Sequence, residues 1–95
     1  SGGEFVTPPL EFEGGELELN VDCGAGGWLL VELQDAEGRV LEGYTLKTCE
    51  TVTANSVRAR VGWRGRGSHV ASHRQAIRLR VAMRSAKLYT FRFLA

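Results

Sequence analysis

No apolar run in this chain approaches the ~20 residues of a membrane-spanning helix, and no segment has the layout of a cleavable signal peptide. Cysteine occurs only twice. No stretch of twelve or more residues keeps a helical stripe of apolar positions, which argues against an α-helical core. The 95 residues are few as well. A chain of that size buries about 60–65% of its unfolded surface, enough for one shared core but not for a cofactor domain plus a substrate domain.

Acidic residues are absent beyond Glu50, although the formal net charge is only +1. The first fifty positions carry eleven acidic residues and two basic ones (Arg39 and Lys47), a balance of −9, and the remainder carries ten basic residues and no acidic one, a balance of +10. Such a split fits either an acidic module followed by a basic, nucleic-acid-binding one, or strands of opposite charge interleaved in one sheet. Hydrophobic periodicity decides for the second. Apolar and polar residues alternate in Glu16 to Asp22 (Leu17, Leu19, Val21), 27–34 (Leu29, Val31, Leu33), 57–63 (Val57, Ala59, Val61, Trp63), 76–84 (Ile77, Leu79, Val81, Met83) and 87–94 (Tyr89, Phe91, Phe93). Shorter pieces lie at Glu11–Glu13 and Arg39–Tyr44, and Ser68–Ala76 has room for one short helical turn. Breakers separate the segments: Pro8-Pro9, Gly14-Gly15, Gly24–Gly27, a hairpin turn at Asp35-Ala36-Glu37-Gly38, and Gly62–Gly67. Seven or eight short strands with turns about every ten residues predict an all-β, antiparallel β-sandwich or jelly roll. Two separate modules of about 45 residues would each be too small for a sandwich core. The domain is expected over residues 14–95, with residues 1–13 a tag remnant (Ser1-Gly2-Gly3) and an arm. Early strands then pair with late ones, bringing Glu16 and Glu18 near Arg78 and Arg80 or near Arg92.

Several segments occur in a familiar order: Leu19-Asn20, Gly27, Val31-Glu32-Leu33, Gly43-Tyr44-Thr45-Leu46, Cys49-Glu50, Val61-Gly62-Trp63, Ile77–Val81 and Ala86–Phe93. Over about residues 14 to 94 the chain resembles the C-terminal β-sandwich appended to bacterial glycoside-hydrolase-like proteins with a five-bladed β-propeller. The final Leu-Tyr-x-Phe-x-Phe stretch is the most specific part. Two departures stand out: Ala54-Asn55 replaces a Gly-Asp common in that family, and the stretch Arg64–Arg74 is unusually basic. The resemblance implies a non-catalytic accessory module of a secreted or periplasmic carbohydrate-active enzyme, partnered by a parent glycosidase domain. Its own ligand is not implied, since a fold does not define a function.

Trp28 is the most informative single residue. If Leu29, Val31 and Leu33 face the core, Trp28, Leu30 and Glu32 face away. An exposed Trp suits stacking on the C–H face of a pyranose ring, with Glu32 accepting from hydroxyls. The alternative is that Trp28 is covered by the arm (Phe5, Val6, Leu10) or by a parent domain. Trp63, Phe91, Phe93 and Tyr89 are expected in the core, and Tyr44 is either a loop platform or a corner packing residue. Arg64, Arg66 and Arg74, with His69 and His73, form a basic loop whose guanidinium forks suit the carboxylates or sulfates of an anionic polysaccharide. A solvated loop, or one pairing with the acidic half, is the plainer alternative. Nucleic acid is not expected, because no aromatic is interleaved there. His69 and His73 have the spacing of a helical zinc pair but lack its Glu, and Cys23 and Cys49 are not a close pair, so no metal or other cofactor is expected. Those two cysteines either form one disulfide closing a loop of about 25 residues or remain two separate buried thiols. No enzyme is read here: Glu16/Glu18 and Glu11/Glu13 each share a strand, whereas glycosidase carboxylates flank a cleft. Gly24–Gly27 joins two strands and so lacks the helix N-terminus of a phosphate loop.

Overall fold

A computed structural model describes residues 2–11, 14–70 and 76–94. Seven strands run in chain order: β1 (Gly2–Val6), β2 (Gly15–Asp22), β3 (Trp28–Asp35), β4 (Asn55–Arg60), β5 (His69–Val70), β6 (Ile77–Arg84) and β7 (Lys87–Leu94). They form two sheets, one ordered β1-β6-β3, the other with β2 at its centre, β4 and β5 along one edge and β7 on the other. Every pairing is antiparallel. The fold is a β-sandwich with no helix among the described residues. Early strands pair with late ones, β1 and β3 with β6 and β2 with β7. The chain crosses between sheets at Ser85, where Gly27 lies so close to the Ser85 carbonyl that no side chain fits.

Period-two alternation explains the core. Leu17, Leu19 and Val21 of β2 and Leu29, Val31 and Leu33 of β3 point inward, joined by Ile77, Leu79 and Val81 of β6, and all are buried. Val61 and Trp63 close one end of this cluster. Burying each Leu, Ile or Val contributes about 1.5–3 kcal/mol.

Among the described residues no further strand lies beyond β3, and its outer edge is satisfied by loops and side chains. Leu29 exchanges backbone hydrogen bonds with Val52, while Leu33 bonds to Tyr44 and Leu41. Between them, the Val31 N–H donates to Cys49 Sγ at 3.4 Å, and the indole N–H of Trp63 donates to the Val31 carbonyl at 2.9 Å. Two buried side chains thus do for Val31 what a neighbouring strand would have done.

The residues expected to be an arm form part of the sandwich: Gly2–Val6 pairs with Val81 and its neighbours on β6, and Leu10 bridges Ile77. The sheet therefore starts well before residue 14. The expected strand at 39–44 reduces to a single bridge, Val40 to Gln34, beyond the turn that Gly38 makes at φ 88°. Glu13, His73 and Arg74 lie outside the described residues, as does most of the turn expected in 68–76.

Candidate functional site

The opposite charges of the two halves meet on the outer faces of both sheets. On the β2 sheet, Glu18 stands directly across from Arg60 on one side and Arg92 on the other. Arg92 approaches its carboxylate at 2.8 Å and Arg60 at 3.5 Å, and the residue is only 4% exposed. Glu16 pairs with Arg60 and accepts from the Ser68 hydroxyl at 2.6 Å. The hydroxyl bond chiefly, with Arg60 and His69 assisting against desolvation, holds the Glu16 carboxyl below its ordinary range. On the β6 sheet, Arg80 joins Glu4 (2.8 Å) to Glu32 (3.4 Å). Of the two arginine groups expected near Glu16 and Glu18, Arg92 is the one that arrives, while Arg78 and Arg80 belong to the other sheet.

The structure divides the sequence-derived site residues into two places. Trp28 is half-buried at the end of β3, on the outer face beside Arg84. Glu32 shares that face but is buried, its Oε2 accepting from Gln34 (3.0 Å) and Arg80 (3.4 Å), so it does not stand free beside Trp28 as a hydroxyl acceptor. Tyr44, Arg64 and Arg66 form a corner at the other edge of the fold. Tyr44 is buried edge-to-face on Trp63, with centroids 5.2 Å apart and planes at 77°, which makes it a packing residue and not a platform. Arg66 covers its ring at 5.6 Å and donates to the Glu42 carbonyl, and Arg64 donates to the Lys47 carbonyl. These two arginines staple the Trp63–Gly67 turn to the 42–48 loop. Of the two arrangements open to the cysteines, the structure has the unbridged one: Cys23 and Cys49 are separate buried free thiols. Cys23 Sγ lies 3.5 Å from the Val52 carbonyl and Cys49 Sγ 3.3 Å from that of Glu50. Burial pushes both thiols above their ordinary range, with Asp22 and Glu50 adding to it.

A different constellation forms on the outer face of the β2 sheet. The β2–β7 register passes from Asn20↔Thr90 to Val21↔Leu88, leaving Tyr89 unpaired. The β2–β4 register passes from Leu19↔Ala59 to Val21↔Ser56, leaving Val57 and Arg58 opposite Asn20 alone. Both neighbours of β2 therefore carry a β-bulge at the level of Asn20, and a bulge re-aims side chains. Tyr89 and Val57, expected in the core, are 57% and 66% exposed. Leu88 takes the inward place at that level, and Phe91 and Phe93 are partly buried against the core. Between the bulges lies a groove of about 380 Å³ lined by Glu18, Asn20, Val57, Arg58, Thr90, Phe91 and Arg92. Alternation alone hides these residues, because a single extra residue inverts the pattern. Val57 and Tyr89 stand in phase with their inward neighbours in the sequence, which therefore carries no signal of the bulges.

Chemically, the groove offers an amide, a hydroxyl, a carboxylate held between two guanidiniums and a third guanidinium, and the exposed Tyr89 adjoins its lining in sequence through Thr90. Compared with known proteins, the chain matches no family model, no curated protein and no solved structure.

Proposed function

We propose that this chain is a non-catalytic accessory module of a carbohydrate-active enzyme, and that it holds glycan in the groove between β4 and β7. The observation that carries the reading is the exposed Tyr89, left unpaired by a bulge and next in sequence to Thr90, which lines a groove of hydrogen-bonding side chains. A pyranose presents an apolar C–H face and a ring of hydroxyls. An exposed aromatic plate suits the first, and Asn20, Thr90 and the guanidinium forks suit the second. The groove is shallow and lies on a rigid sheet, which suits a polymer passing across the surface and costs little reorganisation. The family resemblance of the strand motifs supports the same class of protein.

Affinity electrophoresis through gels containing single polysaccharides tests this. Tyr89→Ala is expected to abolish retardation with little change in melting temperature, because the ring is exposed. A wild-type chain unretarded across a broad glycan panel overturns the reading.

A second reading is favoured by the opposite face. Trp28, Leu30 and Ala82, the last directly across from Leu30, form a half-buried apolar patch on the outside of the β6 sheet, a surface suited to packing on a parent glycosidase domain. Trp28→Ala should then leave polysaccharide retention intact, and loss of retention in that variant would return the glycan site to Trp28.

A further inference from the structure

Resting on the glycan reading, we propose that the groove selects an acidic glycan, one whose carboxylate or sulfate group is held by the guanidinium of Arg58. Three guanidiniums and two carboxylates gather at the groove and its rim. Arg60 reaches both Glu16 and Glu18, and Arg92 directs Nε and Nη2 at the same Glu18 oxygen, at 2.9 and 2.8 Å. Glu16 is further occupied by the Ser68 hydroxyl. Glu18 is thus shared between Arg60 and Arg92 and Glu16 is held by Arg60 and Ser68, and among the described residues neither carboxylate pairs with Arg58. One cation is left over, and it lines the groove.

Arg58 is also a placed residue. It belongs to the bulge opposite Asn20, and its backbone N–H donates to the Ser56 hydroxyl at 3.0 Å, fixing the chain where the side chain departs. Of the basic stretch that the sequence offers as an anion grip, the described Arg64 and Arg66 donate from Nη2 to the carbonyls of Lys47 and Glu42. A guanidinium fork meets a carboxylate or sulfate through two parallel hydrogen bonds. The neighbouring Asn20 and Thr90 supply neutral partners for the hydroxyls beside that group. A single surplus cation fits a polymer carrying spaced acidic groups. A nucleic acid, with a phosphate at every residue, would press further charge against Glu16 and Glu18.

Equilibrium binding of the chain to immobilised polygalacturonate, carrageenan and neutral galactan tests the inference, with single-stranded nucleic acid as a further arm. Binding to at least one acidic polymer is expected to be about tenfold tighter than to galactan, a difference of about 1.4 kcal/mol. Preference for polygalacturonate identifies a carboxylate as the group, and preference for carrageenan a sulfate. The advantage should shrink as NaCl rises from about 0.01 M to about 1 M, which shortens the screening length from about 30 Å to about 3 Å. Arg58→Gln should remove the advantage and its salt dependence, whereas Arg39→Gln, at an exposed turn away from the groove, should change neither. Equal behaviour of the two variants, equal binding of acidic and neutral polymers, or tighter binding of nucleic acid overturns the inference. Neutral galactan bound in a Tyr89-dependent manner with no effect of Arg58→Gln overturns the acidic selectivity and leaves the glycan groove standing. Binding to no polymer overturns both.

Discussion

Replacing Trp63 with phenylalanine removes the indole N–H that donates to the Val31 carbonyl at 2.9 Å, at a site with no exposure to solvent. The carbonyl has no strand beside it to supply another donor, and a buried unpaired acceptor costs about 1–3 kcal/mol. The smaller ring also forfeits buried contact at about 0.8 kcal/mol per carbon-sized group, partly recovered by relaxation. The edge-to-face contact with Tyr44 survives in phenylalanine and contributes little to the difference. The expected loss is about 2–4 kcal/mol, or about 10–25 °C in melting temperature for a domain of this size. Urea unfolding followed by far-ultraviolet circular dichroism measures it, with an unchanged slope confirming two-state behaviour. Cys49→Ala removes the acceptor of the Val31 N–H and should be non-additive with Trp63→Phe, since both side chains brace one peptide segment. Amide exchange at Val31 should accelerate in either variant. A loss below about 1 kcal/mol with unchanged exchange at Val31 would refute the idea that side chains close this edge.

Because the Glu16 carboxyl is held below its ordinary value of 4.5, its contribution to stability is present above pH 4.5 and is lost as pH falls through the folded-state value. Ser68→Ala, which removes the largest cause, should flatten the acid limb of the stability profile, and an unchanged limb would show that the hydroxyl has no such role. The two cysteines, buried and with raised pKa, should resist iodoacetamide in the native protein at neutral pH and yield two adducts in denaturant. Mass spectrometry finding no alkylatable thiol after unfolding without reductant would restore the bridge.

The strands with unbroken alternation, β2, β3 and β6, were legible because each presents three consecutive inward apolar residues at period two. The charge asymmetry was legible too, since acidic and basic strands that alternate must meet across a sheet. Trp63 fell in phase with Val61 and is in the core. What alternation could not reveal was any place where the register slips. Counting from their neighbours places Val57 and Tyr89 inward, and the bulges at Asn20 invalidate that count. Alternation places Glu32 on the outer face, but its burial there depends on Arg80, 48 residues away. The strand Gly2–Val6 escaped notice because its glycines and Glu4 carry no apolar stripe; its place is set by the free edge of β6.

The paired bulges separate two demands that a regular strand ties together. In an unbroken ladder, exchanging a residue for one of different size or polarity is judged by the core on every second position. At Val57, Arg58 and Tyr89 the side chains are exposed, so their exchange leaves core volume untouched. The strip between the bulges is therefore free to diversify by point substitution while the backbone that carries it stays constant. Its location is set by chain register, and only an insertion or deletion in β4 or β7 would move it.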